Sequence, residues 1–225
     1  MTNTDSNGLD AQFLREKEIL DRCAPRTVSS YRDAWKAFAR YSGEVSGPGL
    51  KAWVMAMTEA GLTPRSINSF ASGVNSFLTW LAENGHTPER LRVPLQSVPR
   101  RVLTTYSIED ARKILSHKPA TRTERRLLAI LHLLVDTGAR VDEVLSLSRD
   151  AVDWSNLLVK LYGKGQKERI VPISIECRKV LFRWVNSHAH ALLFPTRSGS
   201  KIQFNNLRRD FLRLLCSGAL QNVEK

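Results

Sequence analysis

Two stretches decide how this chain is read. The first is Thr137-Gly138-Ala139-Arg140-Val141-Asp142-Glu143-Val144-Leu145-Ser146-Leu147, and the second is Gly163-Lys164-Gly165-Gln166-Lys167-Glu168-Arg169-Ile170-Val171-Pro172-Ile173. Thr137-Gly138 breaks a strongly apolar segment, residues 123–136, whose pattern predicts a helix buried nearly all round. Val141, Val144, Leu145 and Leu147 then begin another helix. At Leu157–Leu161 the period changes to that of a strand, and it does so again at Arg169–Ser174. The residues between them form a hairpin with a basic, glycine-containing tip. Arg140 and Lys164 are 24 residues apart.

Outward from this centre the signals are helical. Ser107, with Asp110 three residues on, resembles a capping box ahead of Ala111, Ile114 and Leu115. Two further helices are expected at about 175–187 and 202–216. Residues 91–105, with Pro94, Pro99, Arg92, Arg100 and Arg101, have no helical period and read as an extended basic linker. Such a linker suits a protein that wraps something charged; the plain alternative is a solvated connection. Before it, residues 11–90 read as a bundle of four helices. The first is Ala11–Leu20. In the second, Thr27 is the expected cap and Tyr31, Ala34, Trp35, Phe38 and Ala39 form one apolar stripe. Gly43–Gly49 reads as a loop and Leu50–Ala60 as a third helix. Thr63-Pro64 opens the fourth, which ends at Asn84-Gly85. The aromatic stripes lie on single faces and are read as core, not as a stacking platform. Residues 1–10 read as a disordered polar tail.

Composition narrows the class. Of 225 residues 42% are hydrophobic and 25% charged, which suits a folded core and excludes a collagen-like or wholly disordered chain. The apolar runs are too short to span a bilayer, and the polar N-terminus lacks a signal core, so a cytoplasmic protein without membrane partners is expected. Cys23, Cys177 and Cys216 lie far apart and have no metal-ligand spacing. The net charge of +12 is unevenly spread, +3 over residues 1–102 and +9 over 103–225. That excess favours a polyanionic partner, with a solubilising surface as the plain alternative.

Together the two opening stretches resemble the first active-site box and the β-hairpin motif of the tyrosine recombinases, the phage-integrase family. Arg26-Thr27-Val28-Ser29-Ser30-Tyr31 and Thr63-Pro64-Arg65-Ser66-Ile67-Asn68 are similar to the starts of two helices in that family's core-binding domain. Leu193-Phe194-Pro195 resembles the segment after the hairpin. The resemblance covers about residues 12–220. It implies a mainly α fold with a small antiparallel β-sheet: an N-terminal helical, SAM-like core-binding domain at 11–90, the linker, and a partial catalytic domain at 106–225. Duplex DNA and other recombinase protomers are the implied partners, with no cofactor and no small-molecule substrate.

The resemblance also assigns roles. Arg140 would hold a phosphodiester, because a guanidinium fork matches two non-bridging oxygens. A place at a helix start would add backbone N–H groups. The plain alternative is a surface arginine paired with Asp142 or Glu143. Lys164 would be the general acid that protonates the leaving 5′-oxygen. Lys167 competes for that role and otherwise meets the backbone. Arg26, Thr27, Arg65, Arg100, Arg101 and Arg169 are the further implied DNA contacts. Glu143 would steady the buried loop.

The family also uses a His-x-x-Arg box, a later His or Trp, and a nucleophilic tyrosine near the C-terminus. The tyrosines here are Tyr31, Tyr41, Tyr106 and Tyr162, and none follows the hairpin. Asn205-Asn206-Leu207-Arg208 imitates the box, but Arg208 arrives too soon; Arg208, Arg209 and Arg213 read better as one basic helix face. The expectation is a chain that stops before the second box and cannot cleave alone. Apolar surface is then expected to be exposed on 127–134 and 211–215.

Overall fold

The computed structural model describes residues 8–41, 45–99, 105–163 and 167–216. The chain divides into two compact units, 1–102 and 103–225. Each has its own apolar core.

The first unit holds α1 (Leu9–Ile19), α2 (Pro25–Tyr41), α3 (Gly47–Glu59) and α4 (Pro64–Glu83). Two residues of the expected tail, Leu9 and Asp10, belong to α1. Helix α2 starts at Pro25, so Thr27 lies inside its first turn instead of capping it. Helix α3 starts within the expected loop. Ser46 Oγ accepts the Gly49 N–H at 3.1 Å, and Pro48 presets the first turn, which together override the two glycines. Thr63 caps α4 as expected, accepting the Ser66 N–H.

Helices α2 and α4 pack closely. A Cβ on Gly73 would lie 2.5 Å from the Ala34 Cβ, so only glycine permits this approach. Trp35, next to Ala34, meets Phe77, one turn beyond Gly73, with ring centroids 4.4 Å apart. Trp35, Phe38, Phe77 and Trp53 are buried, which makes the aromatic stripes core. Arg26 and Arg65 each precede the Ala34–Gly73 contact by eight residues, about 12 Å of helix. Both are exposed.

Residues 91–99 are extended, as expected, but they are strapped onto α4. The Asn75 side chain accepts the Val93 N–H at 2.7 Å and donates to the Val93 carbonyl at 3.1 Å. Asn68 does the same for Gln96, at 2.8 and 2.7 Å. The spacing explains the fit: seven helical residues rise about 10.5 Å, and three extended residues span about 10 Å. The strap runs antiparallel to α4, back toward the end that carries Arg65, and Val93 is fully buried. Arg100 and Arg101 lie outside the described residues. Replacing Asn75 with Ala should leave the Val93 N–H and C=O unpaired, at a cost of about 1–3 kcal/mol. Hydrogen exchange should show the Val93 and Gln96 amides losing protection while the α4 amides keep theirs.

The second unit holds α5 (Ile108–Leu115), α6 (Arg122–Thr137), α7 (Val141–Leu145), a 3-10 turn at Arg149–Ala151, β1 (Val152–Asp153), β2 (Leu158–Tyr162), β3 (Glu168–Pro172), α8 (Ile175–Val185) and α9 (Phe204–Cys216). The sheet is antiparallel in the order β1-β2-β3, with Val159 opposite both Val152 and Val171. Strand β1 escapes sequence reading because it is two residues long. Its turn to β2 is built by Asp153, whose carboxylate accepts the Ser155 and Asn156 N–H groups, and by Leu157 at φ +57.

Helix α6 is the spine of this core. Leu127, Leu128, Ala129, Ile130 and Leu133 are buried, but Arg125, Val135 and Asp136 are exposed. It is therefore buried on one broad face, not nearly all round. The expected exposure of 127–134 and 211–215 is also corrected. Leu214 and Leu215 are buried and Phe211 packs against the core, which leaves Leu212 as the exposed apolar residue of that stretch. Among the described residues no helix is long and apolar enough to cross a membrane.

Candidate functional site

The break after α6 builds the site. Gly138 takes the left-handed conformation at φ +60 and donates its N–H to the Leu134 carbonyl at 2.9 Å, which ends the helix. Thr137 Oγ1 donates to the Leu133 carbonyl and accepts the Ala139 N–H. The chain then turns through extended Arg140 into the five-residue α7.

Glu143 is the hub. Its side chain is 5% exposed. Oε2 accepts the Arg140 N–H at 2.9 Å and Arg169 Nη2 at 2.6 Å. Oε1 accepts Arg140 Nη1 and Arg169 Nη1, each at 3.1 Å. Four donors fill the four acceptor positions of one carboxylate. The Arg169 hydrogen bonds, with those from Arg140, outweigh burial and hold the Glu143 carboxyl down to about 2. Two guanidinium groups thus share one carboxylate, leaving a net positive charge.

The two arginines differ in what they have left. Arg169 commits both terminal nitrogens to Glu143, so the residue expected to be a DNA contact stands here as an ion-pair partner that ties β3 to α7. Arg140 gives a single side-chain nitrogen to Glu143, and its side chain remains 74% exposed. The pairing expected of a surface arginine and the availability expected of a phosphate ligand therefore coexist at Arg140. Of the backbone donors at this helix start, the Arg140 N–H is taken by Glu143.

The hairpin closes on the same group. A Cβ on Gly163 would sit 3.3 Å from Glu143 Oε1 and 3.5 Å from Arg169 Nη1, so a bare backbone lets β2 reach the cluster. The Gly163 N–H donates to the Lys167 carbonyl at 2.8 Å and pins the tip at its base. Lys164 follows Gly163 directly and lies outside the described residues. Lys167 is exposed.

Two neighbours were missed in the sequence. Lys201 Nζ lies 3.5 Å from Asp142 Oδ1, which brings a distant lysine beside α7. Lys160 pairs with Glu168 at 2.7 Å and sits 5.4 Å from the Tyr162 ring, on the face of the hairpin. The strand period places Lys160 and Tyr162 on one side and was a usable signal; nothing in the sequence links Lys201 to α7. Arg208, Arg209 and Arg213 lie on the exposed face of α9, as expected of a basic helix face. The arginine tied to α9 is Arg126, which reaches Asp210 at 3.4 Å and the Pro195 carbonyl at 3.0 Å. Among the described residues no group of three or more His, Cys, Asp or Glu is placed to hold a metal ion.

The site is a buried carboxylate that holds one exposed guanidinium at the start of α7 and a second on β3. The family follows from comparison. The model of the Phage integrase family matches residues 104–222, and the chain belongs to that family. It is similar to the tyrosine recombinase XerC of Corynebacterium glutamicum, at 26% identity over 209 residues, covering 88% of this chain and 68% of that one. XerC of Corynebacterium efficiens is 28% identical over 195 residues, covering 81% and 63%. The chain thus spans about two thirds of the length of these relatives.

Solved structures share the fold. The Tn1549 transposon integrase in complex with transposon right end DNA superposes with a TM-score of 0.78 at 14% identity, covering all of this chain and 80% of that one. A lambda integrase dimer bound to a COC′ core site gives 0.69 at 16% identity, covering 96% and 82%.

Proposed function

We propose that this chain binds duplex DNA by neutralising backbone phosphates, and that its 225 residues alone do not cleave it. The observation that carries the reading is the Glu143 hub, which leaves Arg140 three-quarters exposed with unspent donors next to a basic hairpin tip. Arg140 holds the phosphate, Arg169 and Glu143 position it, and Lys164 is the candidate general acid. Lys167 contacts a flanking phosphate. Arg26, Thr27 and Arg65, in the first turns of α2 and α4, form a second contact with the backbone, and Arg100 and Arg101 add to it. The structural neighbours were solved with DNA, one of them as a dimer, which supports duplex DNA and further protomers as partners. The cytoplasm is the compartment this reading implies.

Cleavage needs a nucleophile that this sequence does not supply where the family places it. Tyr162 is the tyrosine nearest the site in sequence, and it is 52% exposed. On the reading proposed here it packs under Lys160 or meets DNA, and does not attack phosphorus. Arg140→Gln should test the site. It should weaken binding to all duplexes by a similar factor and reduce the salt slope by about one. Fluorescence anisotropy at several salt concentrations measures both. An unchanged slope removes Arg140 from the interface.

A further inference from the structure

On the second unit a hollow of about 420 Å3 opens between the α5–α6 loop, α6 and α8. It shares no residue with the Glu143 group. Its floor is apolar, with half-buried Leu115 and Val180 over buried Leu128 and Trp184, whose ring also has Arg122 5.7 Å from its centroid, and its rim carries Lys118, Arg125 and Arg183. Nothing acidic lines it. Glu124, in the same region, is already engaged: Oε2 accepts the Ala120 N–H at 2.8 Å and faces His117 Nε2 at 3.4 Å. The second histidine of the wall, His132, places Nε2 3.1 Å from the Leu115 carbonyl.

Lys118, Arg125 and Arg183 are all exposed and have no ion pair or side-chain hydrogen bond among the described residues. Three uncompensated cations around a concave apolar floor repel one another, and an anion with an apolar body relieves that repulsion. The volume lies within the range of small-molecule sites. A duplex does not enter a hollow of this size, whereas a single nucleotide does.

We propose that this hollow binds a small organic phosphate of the nucleoside monophosphate class. The base lies on the apolar floor against Leu115 and Val180, and the phosphate lies among Lys118, Arg125 and Arg183. Charge selects the occupant: a phosphate monoester brings close to two negative charges and three acceptor oxygens to three donors. The site is independent of the DNA contacts proposed above.

Isothermal titration of the full chain with deoxyadenosine monophosphate tests this, with deoxyadenosine and inorganic phosphate as separate arms. The nucleotide should bind at least about tenfold more tightly than either part, because both halves of the site contribute. Arg183→Glu and Arg125→Glu should each weaken it by about tenfold or more, with unchanged thermal melts and unchanged affinity for duplex DNA. Lys118→Glu provides a third variant should either arginine change disturb folding. Equal affinity for nucleotide and inorganic phosphate overturns the proposal, as does binding that survives the Arg183→Glu change. A dimer that dissociates on that change reassigns the hollow to a second copy of the chain and also overturns it.

Discussion

Raising the salt from 50 to 200 mM should weaken the binding of this chain to duplex DNA by roughly 10^3- to 10^4-fold. The size follows from the number of cations proposed to meet phosphates: Arg26, Arg65, Arg100, Arg101, Arg140, Lys164 and Lys167. Each neutralised phosphate releases condensed counterion, and the logarithm of affinity falls by about 0.9 per contact for each decade of salt. Seven contacts give a slope near −6. The net charge of +12 alone would raise the encounter rate without fixing such a slope. Anisotropy titrations on two unrelated duplexes measure it. The two should differ little, since backbone contacts carry position and not sequence. A slope near −2 would place most of these residues away from DNA.

Replacing Glu143 with Gln should destabilise the second unit by on the order of 2 kcal/mol and lower its melting temperature by roughly 10 °C. The amide cannot accept all four hydrogen bonds, and it leaves two guanidinium groups facing each other without a carboxylate. A fully buried pair would lose more, but Arg169 is 38% exposed and water takes up part of the loss. The pH dependence has a definite sign. Glu143 titrates at about 2 when folded, against an ordinary 4.5, so its contribution is complete above pH 4.5 and is lost as the pH falls toward 2. Urea unfolding of both proteins should give midpoints well separated at pH 6 that converge as the pH is lowered through that window. A separation that persists unchanged to pH 2 would remove the carboxylate charge as the cause.

The helices were legible because their signals are local. Thr63, Ser107 and Ser174 cap where hydroxyl residues precede apolar periods, and Gly138 ends α6 where the pattern breaks. The hairpin was legible from its change of period. Less was legible where structure rests on distant partners. Asn68 and Asn75 look like ordinary polar residues on a helix face, and only the strap shows that they replace a missing strand partner for Val93 and Gln96. Pro94 and Pro99 signal an extended segment but not what holds it. At the site, the residues of the Arg140 box were visible as a motif. The division of labour between Arg140 and Arg169 was not, because it depends on which guanidinium turns inward over Glu143, 26 residues away from Arg169 along the chain. Residues 123–136 were read as buried nearly all round because their apolar content was weighed without its register, which sets Arg125, Val135 and Asp136 on the outer side.

The central claim is that this chain holds DNA without breaking it. One experiment addresses both halves. Duplexes selected for binding from a random pool are nicked, end-labelled and incubated with the 225-residue protein, then run in parallel on native and denaturing gels. The account predicts a retarded complex on the native gel that a rise in salt dissolves, and no labelled protein on the denaturing gel. A labelled band that survives denaturation, with its peptide mapping to Tyr162, would contradict it.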